Sequence, residues 1–171
     1  MLQHPVPPNL LVHFGDITVS FALLEDSLQH LVFVLIGDFR TGQIITAELS
    51  FKNLRALLIS LYKERHGENV DFPALRELVK RAAQAEETRN QITHSIWAAG
   101  DAADRITRIK TTAKESRGFH FHAEGWSESD LAKVALELKT LAGDIQAFWI
   151  DLLEDSQVIN NSESADETKP A

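Results

Sequence analysis

Residues 10–35 read LLVHFGDITVSFALLEDSLQHLVFVL, with large apolar side chains at Leu10, Phe14, Ile17, Phe21, Leu24, Leu28, Leu31 and Leu35. The intervals alternate between four and three, the period of one face of an α-helix. Pro8-Asn9 ahead and Gly37-Asp38 behind supply start and stop signals, so the stretch predicts one long first helix. A second helix follows from Ala47, Phe51, Leu54, Leu58 and Leu61, ending near His66-Gly67, while Ile44-Ile45 fit either a helix or an extended segment. Asp71 and Pro73 open a third, whose inward positions Leu75, Leu78, Val79 and Ala82 give way to Glu86, Arg89 and Thr93. Apolar character resumes at Ile96-Trp97, and Gly100 is its expected stop. The fourth begins at Ser127 with Asp130 as a capping-box partner and carries Leu131, Val134, Leu138, Leu141, Ile145, Phe148 and Leu152.

Between the third and fourth helices the period changes. Residues 105–112 and 119–124 are β-prone and flank the turn-forming Glu115-Ser116-Arg117-Gly118, which predicts a β-hairpin over about 104–125. The expected architecture is therefore an all-α four-helix bundle with an inserted hairpin. Residues 1–9 read as an extended arm, 10–155 as one helical domain, and 156–171 as a disordered acidic tail with little to bury.

The chain has 171 residues and no cysteine, which excludes disulfides and thiolate chemistry and favours a reducing, cytoplasmic setting. No basic region followed by an apolar run marks a secretory signal, and charged or polar residues interrupt every apolar segment, so neither export nor a membrane span is expected. The net charge of −8 argues against a general nucleic-acid coat. Its distribution is uneven: residues 76–117 hold nine Lys/Arg against six Asp/Glu, a net +3, leaving −11 on the remainder. Such a basic middle suits local contact with a polyanion, or simply a solvated face.

The break in the third stripe, Glu86-Glu87-Thr88-Arg89-Asn90-Gln91-Ile92-Thr93-His94, marks the candidate site. It resembles the signature of the HEPN superfamily (higher eukaryotes and prokaryotes nucleotide-binding): Arg, a polar residue, a short spacer, then His, late in a four-helix bundle. Arg89-Asn90-Gln91-Ile92-Thr93-His94 has the Asn-containing form of that pattern, and the resemblance covers most of residues 10–155 but neither hairpin nor tail. Active members of the family are metal-independent ribonucleases, usually dimeric, many of them toxins or anti-phage effectors. The resemblance thus implies a homodimer acting on RNA without a cofactor, with an antitoxin partner where it serves as a toxin.

The residue chemistry suits that activity. His94 would take the proton of a ribose 2′-hydroxyl. Arg89 would hold the scissile phosphate, and Asn90 would bind the phosphate or orient His94. Arg105, Arg108, Lys110 and Arg117 of the hairpin are candidate RNA guides. The alternative is a non-catalytic HEPN-like dimerisation or interaction module, with Arg89 in an ion pair and His94 a satisfied core residue.

Other patterns carry less. His120, His122 and Glu124 alternate along a strand at metal-compatible spacing, but Phe119 and Phe121 are expected to be that strand's buried face and the histidines its wet one, so no metal is assigned. Trp97, Trp126 and Trp149 read as core anchors. No glycine-rich loop carries a following Lys-Ser/Thr, which excludes nucleotide hydrolysis of the P-loop kind.

Overall fold

A computed structural model describes residues 5–102, 104–114 and 118–166 of the chain, in backbone alone at 114 and 155–166. Five helices and three strands succeed one another: α1 (Pro8–Ile36), α2 (Phe39–Thr46), α3 (Phe51–His66), α4 (Phe72–Thr93), β1 (Ile96–Ala99), β2 (Arg105–Lys114), β3 (Gly118–Ser127) and α5 (Glu128–Asp166). The fold is predominantly helical but not all-α, a correction to the sequence expectation. The residues expected to extend the third helix to Gly100 instead form β1, which adds a third strand to the hairpin in the order β1-β2-β3, antiparallel throughout. The expected hairpin itself is present, with the pairs Arg105↔Ser127 and Lys114↔Gly118 at its ends. Of the expected tail, 156–166 continue α5 in backbone, and 167–171 lie outside the described residues.

The chain separates into two compact units, one of residues 1–23 and 83–140, the other of 24–82 and 141–171. The second holds the larger apolar core. Its α1 stretch buries Leu24, Leu28, Leu31 and Leu35, α3 buries Phe51, Leu54, Leu58 and Tyr62, α4 gives Phe72 and Leu75, and α5 gives Leu141, Ile145 and Leu152. Tyr62 takes the inward place that periodicity assigned to Leu61; its hydroxyl donates to Asn69 Oδ1, 2.9 Å away, and its ring stacks 5.9 Å from Phe72. The same Asn69 oxygen accepts the backbone N–H of Asp71 and Phe72, satisfying donors at the start of α4. Gly37, with φ of +78°, ends α1 in the left-handed conformation a side chain would resist, and its N–H donates to Phe33 O. Asp38 then caps α2 through the Thr41 N–H. Gly42 lies against the Phe33 ring, and a Cβ there would come within 2.4 Å of it.

In the first unit the buried apolar residues are fewer: Val6, Leu10, Ile17 and Phe21 from the start of α1, Ile92 from α4, Ile106 from β2, and Leu131, Ala135 and Leu138 from α5. Polar ties supplement them. Lys139 reaches Asp16 at 2.7 Å, and His13 Nε2 lies 3.3 Å from Glu128. The Lys139 hydrogen bond holds the Asp16 carboxyl below its ordinary pKa. Ser127 and Asp130 form the expected capping box, each backbone N–H donating to the other's side chain; the Ser127 hydroxyl, and after it the Ser127 N–H, donate to the Asp130 carboxylate and lower its pKa.

By length and composition α1 would suffice to cross a bilayer, with mean hydropathy 1.6 over its most apolar window. Of that window 44% is buried within the protein, the stripe beginning at Leu10 serving as core. Leu11, Val12, Val19 and Leu23 remain exposed on the other side of the helix.

Candidate functional site

The Arg-to-His segment closes α4 inside the first unit, and its geometry follows from how that helix stops. An α-helix leaves its last carbonyls without intrahelical partners. Here the Asn90 carbonyl accepts the His94 N–H at 3.0 Å, the Gln91 carbonyl accepts the Ser95 hydroxyl, and the Ile92 carbonyl accepts Trp97 Nε1 at 2.9 Å. Thr93 Oγ1 donates back to the Arg89 carbonyl. The helix therefore ends after Thr93 without stranded acceptors at these three positions, and β1 starts two residues past His94.

Arg89 is half-buried. Its guanidinium carbon lies 4.5 Å above the centre of the Phe21 ring, a cation–π contact, and Nη1 donates to Asn90 Oδ1 at 2.8 Å. Its Nε is shielded from solvent without a hydrogen-bond partner. His94 is exposed in the turn after the helix, and no described residue hydrogen-bonds or ion-pairs with its ring. Five helical steps separate the two side chains by about 140° around the axis, and no direct contact joins them. Asn90 thus holds the arginine rather than the histidine, and Arg89 is neither salt-bridged nor surface-free.

Beside this turn lies a groove of roughly 440 Å³ lined by Pro5, Leu11, Phe14, Ile92, Thr93 and Trp97, among others. Phe14 and Trp97 meet edge to face at 5.1 Å, and Trp97 meets Trp126 in the same way at 5.9 Å. These two tryptophans are anchors, as expected, and they fix which side of the sheet faces inward.

Of the four candidate guides, Arg105 and Lys110 are exposed and Arg117 lies outside the described residues. Arg108 is buried, only 6% exposed. Its Nε stands 2.8 Å from Glu124 Oε1, at ion-pair distance but off the hydrogen-bond axis, and its Nη1 donates to Gln91 Oε1 at 3.0 Å. Glu124 also accepts from Trp126 Nε1 at 2.7 Å and lies 2.9 Å from His122 Nε2. Foremost the His122 contact, then Trp126 and Arg108, hold the Glu124 carboxyl below its usual pKa against the opposing effect of burial. This network is not legible in the sequence, because it depends on cross-strand register and on Gln91 reaching the sheet. No group of three His, Asp or Glu among the described residues is placed to hold a metal ion, His120, His122 and Glu124 included.

The expected burial of Phe119 and Phe121 is overturned: they are 70% and 62% exposed. Successive side chains alternate across a strand, so inward-facing Ile106 and Trp126 require the odd-numbered phenylalanines to face outward.

Comparisons with protein-family models, with curated proteins and with solved structures return no match to this chain.

Proposed function

We propose that this protein is a HEPN-type, metal-independent endoribonuclease that works as a homodimer in the cytoplasm. The observation that carries the reading is the preset arginine beside an accessible imidazole: Arg89 is held by Phe21 and Asn90 with Nε unpartnered, while His94 is exposed five residues on.

The 140° between the two side chains favours a composite site, in which pairing two copies of α4 brings Arg89 of one protomer toward His94 of its partner. In the step itself His94 accepts the 2′-hydroxyl proton and the 2′-oxygen bonds to the adjacent phosphorus. The phosphorus–5′-oxygen bond breaks, and the departing oxygen takes a proton from water. Arg89 offsets the charge gathering on the phosphoryl oxygens. Asn90 keeps the guanidinium in place, and the products are a 2′,3′-cyclic phosphate and a 5′-hydroxyl.

A second reading, a non-catalytic interaction module, is favoured by the exposed Leu11, Val12, Val19 and Leu23 on α1. Purified protein incubated with single-stranded RNA in EDTA separates the two. Cleavage that His94→Ala abolishes without lowering the melting temperature supports the enzyme. Wild-type inactivity across a broad RNA panel, with dimerisation intact, supports the module.

A further inference from the structure

In the order β1-β2-β3, the last strand has β2 on one side and no strand on the other. Alternate residues of such an edge turn their N–H and C=O groups away from the sheet, a template for one more strand. Proteins ordinarily blunt a long edge with lysine, proline or a covering element. Over its ten residues, Gly118–Ser127, β3 has no Lys, Arg or Pro, and Gly118 to Ala123 are exposed without a break. What fits a row of backbone groups is an extended strand, and the residues of β3 indicate which one.

Phe119-His120-Phe121-His122-Ala123-Glu124-Gly125 is self-complementary about His122. Laid antiparallel to a second copy, with the two-fold axis at His122, each Phe119 stands opposite the partner's Gly125 and each Phe121 opposite the partner's Ala123. An aromatic ring across from an edge glycine covers backbone that the glycine leaves bare, and the space above Gly125 is open. The two Phe121 residues become diagonal neighbours, about 7–8 Å apart, within reach of aromatic side chains. Phe119 and Phe121, 70% and 62% exposed in the single chain, thereby gain partners. On the other face His120 meets the partner's Glu124, the one carboxylate in β3, and the symmetry makes that pair twice. Glu124 keeps Arg108 and Trp126, and a carboxylate has lone pairs for a further donor. Moving the axis loses this match. Centred on Phe121, His120 meets His122 and Glu124 meets Gly118. Centred on Ala123, the partner's Gly118 runs past the end of β3 to lie against Glu128, the first residue of α5.

From this we infer that β3 pairs edge to edge with β3 of a second copy, antiparallel and centred on His122, so that two three-stranded sheets become one continuous sheet. The seam stands apart from the α4 pairing proposed above and requires no chemistry at Arg89 or His94. Where both contacts form, the assembly holds twice as many chains as either contact gives alone.

The chain has no cysteine, so single cysteines placed along the edge of the full-length protein report the register. In a two-fold pair only the residue on the axis meets its own copy. Among Phe119→Cys, His120→Cys, Phe121→Cys, His122→Cys and Ala123→Cys, the His122→Cys protein should therefore form a disulfide-linked dimer fastest under mild oxidation. Sedimentation should give an assembly mass that Phe119→Glu/Gly125→Glu halves, because like charges then face each other across the seam. Phe119→Lys/Gly125→Glu should retain it, associating at least about tenfold more tightly than the like-charged variant. Circular dichroism of both should match wild type, since both positions are exposed. Equal masses for the two double variants, or fastest cross-linking at another position, overturns the pairing. So does wild type that stays monomeric at millimolar concentration, including one whose edge instead takes up an added peptide. A seam found without RNA cleavage upholds the pairing and removes the nuclease, whereas cleavage by a protein whose mass neither double variant changes does the reverse.

Discussion

The two compact units solve the same problem with different materials. The unit of residues 24–82 and 141–171 is closed almost wholly by hydrocarbon, a ladder of leucines among which the hydroxyls of Thr46 and Tyr62 are buried. The unit of residues 1–23 and 83–140 has fewer large apolar side chains and places charge among them: Arg89 on Phe21, Arg108 with Glu124, Asp16 with Lys139. Hydrocarbon packing is non-directional and tolerates no ligand, whereas oriented charges form a surface that binds and reacts. Under the proposed function the contrast gives stability to one unit and chemistry to the other, and each assignment can be broken.

The largest expected effect is chemical. His94→Ala should reduce RNA cleavage by about 10²- to 10⁴-fold, the range a general base supplies, while leaving the thermal midpoint unchanged. A large drop in the midpoint would instead make His94 a structural residue. In the hydrocarbon unit the reverse should hold for Leu58, which is fully buried. Leu58→Ala should cost about 2–5 kcal/mol in urea unfolding without altering the cleavage rate per folded molecule.

Gly42→Ala sets a Cβ against the Phe33 ring and should cost about 1–3 kcal/mol. An unaffected stability would show that the ring swings aside at no expense. The smallest effect is on pH. The Asp16 pKa is lowered chiefly by Lys139, so its contribution is complete above the unfolded value near 3.8 and disappears as pH falls through the lower native value. Lys139→Met should therefore lower the thermal midpoint at pH 6, and the gap from wild type should close as pH falls through the lowered native value. A gap independent of pH would mean that the lysine acts through its aliphatic stem.

The hydrocarbon unit was largely legible in the sequence, because its elements advertise themselves locally. The Leu24 to Leu35 steps, the Phe51-Leu54-Leu58 repeat and the stop at Gly37-Asp38 need no knowledge of what lies across from them, whereas α2 and its Asp38 cap were not read. The other unit was legible only in outline. The Ser127–Asp130 capping box and the β-prone hairpin were readable, and so was the break that singles out Arg89 and His94. That Ile96-Trp97-Ala98-Ala99 forms a strand was not, because four residues without alternation acquire that identity only from pairing with β2. The outward turn of Phe119 and Phe121 was equally hidden. A one-residue change of parity exchanges the faces of a strand, and parity here is set by Ile106 and Trp126 some distance along the ladder. The seat of Arg89 on Phe21 depends on a contact 68 positions away in sequence, between Arg89 and Phe21.

The passage from α4 to β1 takes only His94 and Ser95, and Trp97 bonds back to the helix it has just left. A joint this short has little slack, so β1 is tied to the end of α4. The first residue of β1 follows His94 by two positions, so the placement of that strand and the placement of the imidazole are set together.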